Sequence, residues 1–154
     1  MTTYYAAYGS NLNKAQMATR CPAATPHRIF QLPDYKLCFK GVADIIKSKG
    51  DTAPVVLWNI TPECELALDR YEGYPKLYRK QYWQWGKDMI MAYVMNGYDI
   101  APPSKYYFEG IQQGYSDFGM PLWPLNNALR EACASDGVGY TPKRFRVNSK
   151  PKIS

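Results

Sequence analysis

PVVLWNITPECELALDRYEG, residues 54–73, places a buried-strand run directly before a helix whose two ends are both marked. Residues 54–60 are a compact apolar run of the kind that fills the middle of a sheet. Thr61 supplies an N-cap oxygen, and Pro62 stands where a missing N–H costs nothing. Cys64, Leu68 and Tyr71 then recur at helical spacing, and Gly73 provides the stop. The spacing predicts a helix over 62–71 with Glu72 and Gly73 at its C-terminal end.

Downstream of this stretch, Leu77–Trp85 and Met89–Met95 flank Gly86-Lys87-Asp88, a three-residue connection with a glycine, which reads as a hairpin. Ser104 can cap a helix over 105–114, and Pro121 opens another that runs to about Ala134. Upstream, residues 2–8 (TTYYAAY) read as an opening strand that ends at Gly9. Residues 13–20 read as a short helix stopped by Cys21-Pro22. Residues 28–39 carry strand-like stretches broken by Pro33. Runs of strands with helices inserted and appended make an α+β fold, with a small barrel as one arrangement of the strands.

The sequence of 154 residues fits one domain with a real core, 46% hydrophobic and 21% charged. Fourteen tyrosines and four tryptophans exceed what packing requires. Tyrosine joins apolar bulk to a polar tip, so a pocket lined by hydroxyls fits this composition. The net charge of +6 attracts anions without specifying one. Much of it sits in a basic tail at about 140–154, where Lys143, Arg144, Arg146, Lys150 and Lys152 crowd together. Such a run is ordinarily a solvated segment, and nucleic acid is not the expected partner. Cys21, Cys38, Cys64 and Cys133 show no paired spacing, so reduced thiols in a core are expected and a metal site is not. No apolar run reaches membrane-spanning length, and MTTYYAAYG lacks the basic-then-apolar pattern of a secretory signal, so a cytoplasmic location is expected.

His27 is the only histidine. It lies beside Pro26 in what reads as a loop, without partners for a nucleophilic triad or a metal. Phosphate-binding glycine loops are also missing. Two features carry chemistry instead. Tyr8-Gly9-Ser10-Asn11-Leu12 joins the opening strand to the first helix. Its glycine permits a sharp turn, and its amides can face a carboxylate or a carbonyl oxygen. The same residues also read as an ordinary helix entry capped by Asn11 or Asn13. The second feature is Glu72. The negative end of a helix dipole disfavours a carboxylate there, and Tyr71 and Tyr74 flank it. Low exposure would add to the dipole in raising its pKa, as a base working near neutrality requires. A solvated helix end is the competing reading, and Asp69, placed on the face opposite Leu68, is the competing acid.

Taken in order, Tyr8-Gly9-Ser10-Asn11-Leu12, then Leu68-Asp69 with Glu72-Gly73, then Ala101-Pro102-Pro103-Ser104 resemble the γ-glutamylcyclotransferase family. Gly119-Met120-Pro121-Leu122 resembles the segment before that family's last helix. The resemblance covers about residues 4 to 130. It implies a small mixed β-barrel with peripheral helices, and conversion of a γ-glutamyl amino acid or amine into 5-oxoproline with release of the amine. It implies no metal or organic cofactor, a small-molecule substrate, no membrane partner, and a monomer or homodimer. Glu72 matches the family's acid/base residue. Tyr5, Tyr8, Gly9, Ser10, Asn11, Leu12 and Tyr107 match its substrate pocket, with Tyr106 as the alternative to Tyr107. The loop after Glu72-Gly73 is one residue shorter before Tyr78 than in some members and lacks their second glycine. Which amine is released is therefore left open between γ-glutamyl amino acids, γ-glutamylamines and a pathway-specific compound. A relative that binds such a ligand without turning it over is the reading from another class.

Overall fold

The computed structural model describes residues 1–135, so the basic tail lies outside the described residues. Five strands form one sheet in the order β2-β3-β1-β5-β4. The central strand β1 (Thr3–Ala7) pairs antiparallel with β3 (Ala43–Asn59) and parallel with β5 (Asp88–Met95). β2 (Thr25–Phe39) lies outside β3, and β4 (Tyr78–Trp85) lies outside β5. The α+β class read from the sequence is the class observed.

The sheet is not closed by hydrogen bonds, yet its two edges meet through aromatic side chains. Tyr35 on β2 stands edge-on to Trp83 on β4, with ring centroids 5.3 Å apart. Phe30 packs on Trp85 at 5.2 Å across the same gap. Such pairs contribute about 0.5–1.5 kcal/mol each beyond their burial, so ring contacts join the two edges of a sheet that stays open, where a closed barrel was expected.

Several boundaries differ from the sequence reading. β2 is a single strand that starts at Thr25, although Pro33 was expected to break it. The pairing shifts register between Pro33 and Tyr35, and Asp34 takes φ 63°. A bulge there absorbs the missing N–H and bends the strand while the pairing continues. His27 consequently lies in β2, outside any loop, stacked on Tyr4 at 4.3 Å. β3 begins eleven residues before the apolar run at 54–60, because its first half pairs with β2 through residues of mixed polarity. The β4–β5 connection has two residues, Gly86 and Lys87, since Trp85 pairs with Asp88.

The helices follow their caps. α1 (Lys14–Arg20) is capped by Asn13, whose side chain accepts from the Gln16 N–H. α2 (Pro62–Glu72) is capped by Thr61 and ends at Gly73, in the left-handed region at φ 67°. α3 (Lys105–Asp117) is capped by Ser104 and runs three residues past the expected end. α4 spans Trp123–Ser135. All four cysteines are buried free thiols.

Candidate active site

α2 delivers Glu72 at its last residue, with Gly73 reversing the chain immediately after. The side chain is fully buried, at 0% exposure. The chain places a carboxylate inside the protein at the end of a helix where the dipole disfavours negative charge, an arrangement that stability alone does not favour.

The surroundings of Glu72 are tyrosines. Burial raises the hydroxyl pKa of Tyr5, Tyr8, Tyr78, Tyr93 and Tyr107, and the charge of Glu72 adds to each of these shifts. Tyr71 is raised mainly by burial and also by Glu72, while hydrogen bonds from Ser10 and Arg20 act in the other direction. These phenols therefore stay neutral through any working pH and serve as hydrogen-bonding groups.

Half of these tyrosines are anchored to backbone. Tyr8 donates to the Tyr93 carbonyl at 2.5 Å, and Tyr78 donates to the Ala43 carbonyl at 2.8 Å. The Tyr107 hydroxyl accepts from the Ala43 N–H at 3.0 Å. Tyr107 is buried, whereas Tyr106 is 76% exposed, so the structure brings Tyr107 and not Tyr106 to the interior. Tyr93 donates to Asp69 at 2.5 Å, and Lys80 pairs with the same carboxylate at 3.0 Å. Asp69, the competing acid, is itself partnered. It holds Tyr93 and Lys80 in place.

The turn after β1 packs against Tyr5 and Tyr71. Ser10–Leu12 form a single 3-10 turn, and Gly9, Ser10, Asn11 and Leu12 are all buried. Gly9 has φ −118°, outside the left-handed region, so conformational freedom at φ is not why a glycine stands there. The Leu12 and Asn13 N–H groups close the turn onto the Gly9 and Ser10 carbonyls at 3.0 and 3.1 Å. The amides of Leu12 and Asn13 are thus committed, and Leu12 contributes its apolar side chain. Asn13, not Asn11, is the helix cap. Asn11 instead donates from Nδ2 to the Tyr5 hydroxyl at 2.9 Å. Ser10 Oγ lies 3.1 Å from the Tyr71 hydroxyl.

Sequence reasoning missed Arg20. Its guanidinium bridges the turn to α2, donating to Asn11 Oδ1 at 2.5 Å and to the Tyr71 hydroxyl at 2.7 Å. The available signal was an arginine in the last turn of α1, which reads as favourable charge at a helix end and nothing more. Ring contacts also place Tyr93 edge-on to Tyr5 at 5.8 Å, a pairing between β1 and β5 that linear spacing does not reveal.

Elsewhere, a polar groove of about 410 Å³ is lined by Lys40, Asp44, Lys47 and Arg79 among others. Lys40 pairs with Asp44 at 2.8 Å, and Arg79 donates to the Met95 carbonyl at 2.8 Å. No three His, Cys, Asp or Glu side chains gather as a metal site among the described residues. Nor is any described helix long and apolar enough to cross a membrane.

Comparison with known proteins bears on the family and the fold. The family described as "Gamma-glutamyl cyclotransferase, AIG2-like" matches residues 5–111. The chain is 33% identical to the γ-glutamylcyclotransferase of Homo sapiens over 136 residues, covering 77% of this chain and 72% of the relative. It is 32% identical to that of Mus musculus over 138 residues, covering 78% and 73%. A solved structure titled "Gamma-glutamyl cyclotransferase" superposes with a TM-score of 0.72 at 26% identity, covering 100% of this chain and 94% of that one.

Proposed function

The chain belongs to the γ-glutamylcyclotransferase, AIG2-like family, and on that premise we propose that it cyclises a γ-glutamyl amino acid or amine to 5-oxoproline, releasing the amine. The observation that carries the reading is Glu72, a fully buried carboxylate at a helix end among tyrosine hydroxyls.

The chemistry asks for this arrangement. Both reacting groups belong to one substrate, so the pocket's first task is to fold it into a ring-closing conformation. The α-amine arrives as an ammonium, and Glu72 takes its proton. The freed nitrogen attacks the γ-carbonyl carbon, forming the ring C–N bond and placing negative charge on the carbonyl oxygen. As that intermediate collapses, Glu72 returns its proton to the departing nitrogen and that C–N bond breaks; Glu72 then takes the second proton from the ring nitrogen, which becomes the lactam N–H, and passes it to the released amine, which leaves as an ammonium. Such a base-then-acid exchange typically contributes about 10²–10⁴-fold. Tyr5, Tyr8 and Tyr107 wall the pocket, while Ser10, Asn11 and the unclosed amides of the turn supply polar contacts for the substrate's oxygens. The reaction requires no redox or Lewis-acid step, so side chains alone can carry it.

The test is 5-oxoproline formation by mass spectrometry over γ-glutamyl amino acids, γ-glutamylamines and glutathione. Turnover of at least one class is expected, and the released amine identifies the branch. Binding of panel members without 5-oxoproline formation would replace this reading with that of a ligand-binding relative.

A further inference from the structure

Arg20 sits where it can decide which way a hydrogen-bond chain runs. A guanidinium has donors only. One of its nitrogens donates to Asn11 Oδ1, and the other donates to Gln16 Oε1 at 2.8 Å and to the Tyr71 hydroxyl. The guanidinium carbon also lies 3.7 Å from the centroid of the Tyr71 ring. The Asn11 amide is fully buried and has one accepting end and one donating end. Only the oxygen can serve Arg20, so Nδ2 must face Tyr5, to which it donates. With Asn11 occupying a lone pair of the Tyr5 oxygen, the Tyr5 proton is directed away from Asn11.

We propose that Arg20 is a positioning residue that, by fixing the Asn11 amide, makes the buried Tyr5 hydroxyl a donor to an oxygen of the substrate held beside Glu72. This rests on the cyclotransferase reading of the site. A buried donor fixed in advance stabilises negative charge on a carboxylate or on a carbonyl oxygen during ring closure. Burial and the Glu72 charge keep the Tyr5 phenol neutral, so its proton stays in place to be shared. Without Arg20 the Asn11 amide can turn over and present its oxygen to Tyr5, which would draw the hydroxyl proton out of the pocket.

Asn11→Asp tests this directly. It preserves shape and gives Arg20 a carboxylate partner, but both ends now accept, so Tyr5 must donate to Asp. The expected fall in kcat/KM is about 10²-fold, the usual effect of losing one such donor. Tyr5→Phe is expected to fall similarly, with little further loss when the two are combined. Arg20→Met should behave the same way with Tyr5→Phe. Independent, multiplying losses in these pairs would overturn the proposal.

Thermal melting supplies a readout that does not depend on turnover. Asn11→Asp is expected to melt no lower than wild type. Arg20→Met should lower the melting temperature more in the Asn11→Asp background, where it strands a buried carboxylate, than in wild type. An equal decrease in both backgrounds overturns the Arg20–Asn11 link. A wild type that forms no 5-oxoproline from any γ-glutamyl compound defeats the cyclotransferase reading, and the melting comparison still decides the link.

Discussion

Gly114→Ala is expected to destabilise the protein, opposite to what alanine ordinarily does in a helix. Gly114 lies buried on α3 against the turn that carries Ser10 and Asn11. A Cβ there would stand 2.6 Å from Leu12 Cβ, 2.7 Å from the Leu12 carbonyl carbon and 2.8 Å from the Asn13 nitrogen. Two of those atoms are backbone and cannot rotate aside, so α3 or the turn must move. Alanine over glycine in a helix interior gains about 1 kcal/mol. Overpacking costs about 1–3 kcal/mol, and contact with backbone puts this site toward the upper end. The net is a loss of about 1–2 kcal/mol, which lowers the melting temperature by roughly 2–8 °C for a chain of this size. Gly110→Ala, one turn earlier, is the control. Its Cβ would meet only Gln16 Nε2 at 2.9 Å, the end of a flexible side chain, so a gain of about 0.5 kcal/mol is expected. Because the displaced turn lines the candidate site, Gly114→Ala should also lower kcat/KM. Differential scanning calorimetry of both variants reads the comparison, and a Gly114→Ala protein that melts at or above wild type would refute the packing argument.

Lys40→Met should destabilise the fold by about 3 kcal/mol at neutral pH, because it leaves the buried Asp44 without its ion-pair partner. Burial already holds the Asp44 pKa above its ordinary 3.8, so its charged form disfavours folding, and stability falls as pH rises through the folded-state pKa. The deficit of Lys40→Met is therefore expected to shrink as pH falls through the folded-state pKa and to vanish below that ordinary value, where Asp44 is neutral folded or unfolded; a pH-independent deficit in urea titrations would contradict this. Tyr107→Phe removes the acceptor of the buried Ala43 N–H and should cost about 1–3 kcal/mol in the same assay.

The parts of the fold legible in the sequence were those with local causes. Thr61-Pro62 and Gly73 bound α2 because caps act within a few residues, and Ser104 starts α3 for the same reason. The buried apolar run at 54–60 was visible as a strand, but the first half of β3 was not, because its residues gain their conformation from pairing with β2. Pro33 misled for a related cause: a bulge at Asp34 is a property of two strands in register. At the site, Glu72 stood out through its conflict with the helix dipole, and the turn through its glycine and short polar residues. Arg20, Tyr93 and the structural role of Asp69 emerge only when α1, α2 and β5 are brought together. Spacing along the chain carries no trace of those contacts.

The most direct test of the central claim is to compare Glu72→Gln with wild type under single-turnover conditions, following 5-oxoproline and measuring substrate binding separately by calorimetry. The substitution keeps nearly the same shape and removes the proton acceptor. Cyclisation slower by at least about 10²-fold is expected, with binding changed only a few-fold. A Glu72→Gln protein that is folded, binds substrate and cyclises it at the wild-type rate would rule out Glu72 as the group that moves the proton.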